Sequence, residues 1–310
     1  MISTPNYVVV TPARNEAQFI ELTLRSVAAQ TILPLKWVIV DDGSNDGTDA
    51  IVKRYVAQYP WVELITMPTR QERHFAGKVM AFNAGHKHVS EMSYDVIVSL
   101  DADISLPDKD YFEFLLKKLV ENPALGLVGT PFVDNSGTYD YRFASIEHVS
   151  GACQVFRREC FEQIGGYVPV KGGGIDHMAV LAARVRGWQT RTFTEKTCLH
   201  LREMGTAQHG VWKARILQGT KDYAFGYHPL WQLFRTAYQM TKRPYVVGGA
   251  LLASGYLWAT ICRKPRPISA EMVAFQRNEQ MRRLKRLFAR KEASKPHTAS
   301  SVPKTDLLCR

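Results

Sequence analysis

Cysteine is scarce in this chain, and none of it is spaced for a cage. Cys153, Cys160, Cys198, Cys262 and Cys309 make an odd set with no C-x-x-C pair. Reduced thiols in a cytosolic compartment are expected, not a disulfide frame or a zinc site. The opening MISTPNYVVVTPARNEA lacks both a basic stretch and a long apolar run, so no signal peptide is expected. No internal repeat is evident. A glycine-rich phosphate loop is missing after the first apolar run, where Thr11-Pro12-Ala13-Arg14-Asn15 stands instead; this counts against a nucleotidyltransferase. Acidic residues are scarce at one end only. Residues 1–210 hold 21 Lys and Arg against 24 Asp and Glu, whereas residues 211–310 hold 19 against 5. The net charge of +11 therefore sits in the last third, which suits an anionic partner, membrane lipid or nucleic acid. No recognised nucleic-acid module supports the latter.

What the chain does have is 310 residues, 45% of them hydrophobic, enough for one large domain or a domain with an appendage. Short β-branched runs at Tyr7–Val10, Trp37–Val40, Val62–Thr66 and Val96–Val98 read as buried strands. Helical patterns lie between them, at about Asn15–Gln30, Thr48–Tyr59 and Lys78–Val89. Alternation of this kind predicts an α/β fold with a mostly parallel sheet, whose ligands sit off the carboxyl ends of the strands. Thr11-Pro12, Asp41-Asp42 and Asp101-Ala102-Asp103 each follow a strand, so all three line one rim. Two carboxylates at the mouth of a buried strand are costly without a positive partner, and a divalent cation holding a phosphate is one answer. A solvated turn is the other.

Four strings in register, TPARNEAQFIELTLRSVAAQ, VIVDDGSNDGTDAIV, GKVMAFNAG and LDAD, resemble the nucleotide-sugar half of glycosyltransferase family 2, with the GT-A fold. The resemblance covers roughly the first 205 residues. It implies a nucleoside held by the loop after the first strand (Pro12, Ala13, Arg14 and Glu16) and by Asp42, with Asp41 beside it. It implies Asp101 on the ribose or the metal, Asp103 on a Mn²⁺ or Mg²⁺ ion bridging the diphosphate, and Lys78 as a further diphosphate or base contact. The resemblance implies His200 as a further metal ligand, where residues alone equally suit a structural histidine, and Arg202, with Glu203-Met204-Gly205, closing over the diphosphate. In Gly172-Gly173-Gly174-Ile175-Asp176-His177 the family's usual Glu-Asp is reduced to Asp176, with Ile175 in place of the Glu. Asp176 is the expected general base of an inverting displacement. Read on residues alone, Asp176 also suits a helix N-cap, and Ser44 or Asn45 suits the cap of the helix after the second strand. Arg157 and Arg158 suit either a phosphate contact or a solvated turn.

The last third interleaves aromatics with Lys and Arg. Residues 245–262 are uncharged over 18 positions and flanked by Lys242, Arg243, Arg263, Lys264 and Arg266. That is short for a spanning helix, and basic flanks on both sides favour a re-entrant or interfacial segment with both ends cytoplasmic; a buried core helix is the remaining reading. Glu271–Glu292 reads as a long basic helix suited to anionic lipid. The expected organisation is a catalytic domain over 1–210, a basic membrane-associated region over 211–292 and a disordered tail over 293–310. The expected activity is metal-dependent, inverting transfer of a sugar, UDP-linked by default, to a lipid-linked acceptor in surface-polysaccharide assembly. It would take place at the cytoplasmic face of the plasma membrane, with no nucleic-acid partner. The alternative is a soluble or inactive GT-A protein whose basic tail binds a different anionic partner such as nucleic acid.

Overall fold

The computed structural model describes residues 4–68, 75–134, 137–138, 145–170, 173–202 and 211–293. Residues 294–310 of the expected tail, Gly172 and Glu203-Met204-Gly205 lie outside the described residues, while Ala293 still belongs to the last helix. The first half runs β1 (Tyr7–Ala13), α1 (Ile20–Ala28), β2 (Lys36–Asp41), α2 (Thr48–Gln58), β3 (Val62–Thr66), α3 (Phe75–Val89) and β4 (Val96–Leu100). It continues through β5 (Ile104–Ser105), α4 (Tyr111–Glu121), β6 (Leu125–Gly129), β7 (Phe132–Asp134), β8 (Gly137–Thr138), β9 (Cys153–Arg157), α5 (Arg158–Gln163), α6 (Ile175–Val185), β10 (Gln189–Thr192) and β11 (Cys198–His200). Four helices follow: α7 (Val211–Ala224), α8 (Pro229–Met240), α9 (Val247–Ile261) and α10 (Ala270–Ala293).

Seven strands form the main sheet in the order β10-β6-β9-β4-β1-β2-β3, and β5-β11-β7-β8 make a small second sheet. All pairings of the main sheet are parallel except those of β9, which runs antiparallel to both β4 and β6. The α/β fold with a mainly parallel sheet is as expected.

Side chains alternate across the sheet with the strand period of two. Tyr7, Val9, Trp37, Ile39, Val96 and Val98 enter one core with α1, α2 and α4. Val8, Val10, Val38, Val40 and Ile97 enter the other with α3, α5 and α6. On that side Gly85 lets α3 press onto the sheet: a Cβ there would lie 2.6 Å from Val10 Cγ1 and 2.8 Å from Val40 Cγ2. The same core takes in Phe225, Ile268 and Val273 from the last third. The chain steps from β1 outward to β2 and β3, then returns to place β4 on the other flank of β1. This reversal opens a crevice at the carboxyl ends of β1 and β4.

Several local expectations change. The cap of α2 is Gly47 in the left-handed region, not Ser44 or Asn45; Asp46 Oδ1 accepts from the backbone and hydroxyl of Thr48 instead. Arg157 and Arg158 serve neither a phosphate nor a solvated turn. Arg157 donates to the carbonyls of Leu125 and Leu119, and Arg158 to those of Met92 and Ser90. The first turns of α10 pack inward, with Val273 and Phe275 in the second core and Glu279 paired with Arg184 of α6, while Leu287 further along is exposed.

Candidate active site

The loops after β1 and β2 are laced together by side chains that cap each other's backbone. Asp42 N donates to Ala13 O at 2.8 Å. Asn15 N donates to Ser44 Oγ and Asn45 N to Asn15 Oδ1, both at 2.9 Å. Glu16 N donates to Thr48 Oγ1 at 2.9 Å, and Ser44 N to Asp41 Oδ1 at 3.0 Å. Asp41 and Asp42 are buried, with Arg14 Nη1 3.7 Å from Asp42 Oδ2. Pro12 and Ala13 remain in the ladder, opposite Val40 and Asp41.

Asp101 and Asp103 leave the end of β4. Asp101 N is held by Ala152 O at 3.0 Å and Asp103 O by Leu201 N at 2.9 Å, so the turn is fixed from both sides. Lys78, in the opening turns of α3, puts Nζ 2.5 Å from Asp101 Oδ1. Burial pulls the Lys78 ammonium down, but Asp101, helped by Asp176 and Asp103, outweighs it and leaves it raised. Burial pushes the Asp101 carboxyl up against the pull of Lys78.

Arg202 ties the other carboxylates together. Its Nη2 donates to Glu16 Oε2 at 2.5 Å and its Nε to Asp103 Oδ2 at 3.3 Å, and its guanidinium lies 5.2 Å from the Phe19 ring. Burial lowers the guanidinium, and Glu16 and Asp103 more than restore it.

The donor set suits a divalent cation. His200 Nδ1 donates to Arg202 O at 2.5 Å, which turns Nε2 toward Asp103. That Nε2 lies 3.8 Å from Asp103 Oδ1, so these two side chains are the ones that could share an ion. The expected three-ligand set is not assembled: among the described residues no group of three His, Cys, Asp or Glu side chains is arranged to hold a metal. Asp101 is the member that stands apart, because Lys78 claims it. Two protein ligands still suit Mn²⁺ or Mg²⁺, which commonly take the remainder from phosphate and water.

Asp176 lies within the first turn of α6, while Gly174, at φ 82°, is the N-cap. The N-cap reading of Asp176 is therefore corrected: an extra turn starts at Ile175, which is buried in the core. Gly151 backs the carboxylate. A Cβ there would lie 3.1 Å from Asp176 Cβ and 3.5 Å from its Oδ2. Behind it, His148 and His177 lie 6.0 Å apart. Burial, with His148 adding, pushes His177 down to about 4, and burial lowers His148.

Sequence reasoning did not find Gly151, Phe19, the histidine pair, or the Glu16–Arg202 contact across 186 positions. Nothing in the local spacing signals them, because each is made by tertiary approach.

The sequence profile described as Glycosyl transferase family 2 matches residues 8–181. A poly-beta-1,6-N-acetyl-D-glucosamine synthase of Staphylococcus aureus is 28% identical over 137 residues, 44% of this chain and 31% of that protein. The match thus spans about a third of the length of such curated relatives. Among solved structures, the mannosyltransferase PcManGT from Pyrobaculum calidifontis, in complex with GDP-Man and Mn²⁺, is similar at TM-score 0.55 and 20% identity, over 95% of this chain and 82% of that one. S. aureus TarS 1-349 in complex with UDP-GlcNAc is similar at TM-score 0.53 and 13% identity, over 81% and 71%. At these identities the likeness is one of fold.

Proposed function

The chain belongs to glycosyl transferase family 2, whose profile covers more than half of it, and on that premise we propose that it transfers a sugar from a nucleotide-sugar donor to an acceptor hydroxyl with inversion. The observation that carries the reading is the meeting of Asp101 with Lys78 at 2.5 Å beside the 151–152 turn, where Ala152 O holds Asp101 N and Gly151 packs against Asp176. The nucleoside lies along the laced loops, with Pro12, Ala13, Arg14 and Glu16 on one side and Asp41 and Asp42 on the other. Asp42 and Asp101 accept from base and ribose donors. Lys78 and Arg202 then turn from their carboxylates toward the diphosphate. Asp103 and His200, with Asp101, would hold Mn²⁺ or Mg²⁺, which when bound supplies Lewis-acid neutralisation of the departing diphosphate. Asp176 takes the proton from the attacking hydroxyl, and Gly151 behind it leaves the carboxylate its room. One base suffices for a single displacement.

The donor is UDP-linked in this proposal, supported by the UDP-GlcNAc complex of the TarS neighbour. The GDP-Man and Mn²⁺ complex of PcManGT supports metal use and keeps GDP as the second choice. The acceptor is a lipid-linked glycan in polysaccharide assembly at the cytoplasmic membrane face, supported by the polysaccharide-synthase relative and the basic, apolar last third. The test is Asp176→Asn. Transfer should fall by about 10²–10⁴-fold, the usual worth of a general base, while UDP and Mn²⁺ still raise the melting temperature as in the parent. Turnover that stays near the parent's removes Asp176 from the base role.

A further inference from the structure

The last third presents a helix folded inside out. Helix α8 buries Gln232 and Thr236 and turns Leu230, Leu233, Phe234 and Tyr238 outward. Leu233 is 65% exposed. Its inner face is polar enough that Arg235 Nη1 reaches the buried carboxylate of Asp222 at 2.8 Å. Soluble helices are ordinarily arranged the other way round, so the outward stripe needs a cover. Helix α9 extends it. Gly248, Gly249, Leu252, Gly255, Tyr256 and Ala259 face inward, at helical spacing, while Leu257, Trp258 and Ile261 face out.

Two features fix how this face meets its cover. First, α9 is 15 residues long, about 22 Å at the helical rise, short of the roughly 30 Å of a hydrocarbon core; no described helix is long and apolar enough to cross a membrane. It is also clamped. Gly255 sits against the backbone of Ile216 in α7, Gly219 against that of Leu252, and Gly249 against Thr236 O of α8. Helices so close, backbone to backbone, hold α9 against α7 and α8. Second, the rim carries one sign. From Tyr223 to Ala270 there is no Asp or Glu, but there are six Lys and Arg. Lys242, Arg243, Arg263 and Lys264 are exposed at the ends of the apolar stripe, and Lys242 Nζ lies 5.2 Å from the Tyr238 ring.

We infer that the outer face of α8 and α9 is a monotopic docking surface for an anionic lipid bilayer, seated in the headgroup layer. Apolar side chains enter the acyl boundary, and the basic rim pairs with lipid phosphates. A second copy is disfavoured because a two-fold contact through this face would set the basic rims against each other. Nucleic acid matches the charge but leaves Leu230, Leu233 and Ile261 uncovered. The inference deepens the membrane part of the proposed function and rests on it, while being independent of the donor chemistry.

The experiment is sedimentation of the full chain with phosphatidylcholine vesicles, with and without phosphatidylglycerol. Partitioning onto the anionic vesicles is expected, weakening with salt. It should fall by at least about tenfold in Leu233→Ser/Trp258→Ser through lost apolar insertion, and comparably in Lys242→Glu/Arg263→Glu through lost phosphate pairing. Both variants change exposed positions, and an unshifted melting temperature without vesicles confirms their folding. Parent protein that stays in the supernatant overturns the inference, as does unchanged partitioning of the serine variant. So does a dimer in the ultracentrifuge that the serine variant dissolves, or retention of single-stranded DNA that it abolishes. Thermal shift with UDP and Mn²⁺ on the same samples reports the donor reading separately, so failure of one is not failure of the other.

Discussion

Replacing Lys78 by methionine tests the electrostatics of the crevice directly. Nζ and Asp101 Oδ1 are 2.5 Å apart, with side chains 30% and 21% exposed. At an effective dielectric near 20 the bare attraction is about 6–7 kcal/mol, an upper bound that desolvation largely cancels. Removing one partner of a fully buried pair costs about 3–5 kcal/mol. The residual exposure brings this to roughly 2 kcal/mol, since solvent screens the orphaned carboxylate. For a chain of this size that is a fall in melting temperature of about 4 °C.

The pH dependence has a definite sign. Asp101 is already raised by burial, and Lys78 opposes the rise; without the lysine it rises further. A carboxyl whose folded value exceeds its unfolded one destabilises at high pH, and the deficit shrinks as the pH falls through the folded value. The variant should therefore lose most at pH 8 and least at pH 5. Mn²⁺ should raise its melting temperature more than the parent's, because Asp101 no longer has a lysine to give up. Scanning calorimetry at both pH values, with and without Mn²⁺, reads all three. Equal melting at pH 8, together with equal Mn²⁺ shifts, would refute the reasoning.

Other perturbations are simpler. Gly151→Ala should push the Asp176 carboxylate by a few tenths of an ångström and lower kcat by roughly tenfold with little change in donor KM; an unchanged kcat would show that the carboxylate has slack. His177 is held near 4 in the folded chain against 6.5 ordinarily, so its share of stability is complete above pH 6.5 and is lost as the pH falls toward 4. His177→Gln should flatten that acid loss by on the order of 2 kcal/mol, as read from urea midpoints at pH 7 and pH 5; parallel curves for parent and variant would contradict the assignment.

The sheet and its rim were legible because the carboxylates of the rim come at the ends of apolar runs. Val38-Ile39-Val40 into Asp41-Asp42, and Val96-Ile97-Val98 into Asp101, fix both the strand and the end at which the chemistry gathers. The helix start at Ile175 was not legible: a glycine cap in the left-handed region has no side chain to announce it, and Ile175 turned inward only because a core awaited it. The roles of Arg157 and Arg158 were hidden for a related reason. Their partners are backbone carbonyls on other elements, which leave no trace in residue types. In the last third the aromatics were visible, but not their division, with Tyr223 and Phe225 packed inside and Trp212 and Phe234 outside. That division depends on which helices pair, and glycine contacts decide the pairing.

The contact between Phe225 and Gly174 bears on how the protein can be cut. The Phe225 ring occupies the space a Cβ at Gly174 would need, two residues ahead of Asp176, and it shares a core with Ile268, Val273 and the strands. A chain ended at residue 210 would keep every residue assigned to donor, metal and base. It would also uncover Val180, Ile175 and the His177 ring, leaving the loop before Asp176 without its support. The smallest active fragment should therefore extend through α10, and the apolar surface it carries has to be solubilised by substitution on the outer stripe of α8 and α9, not by truncation.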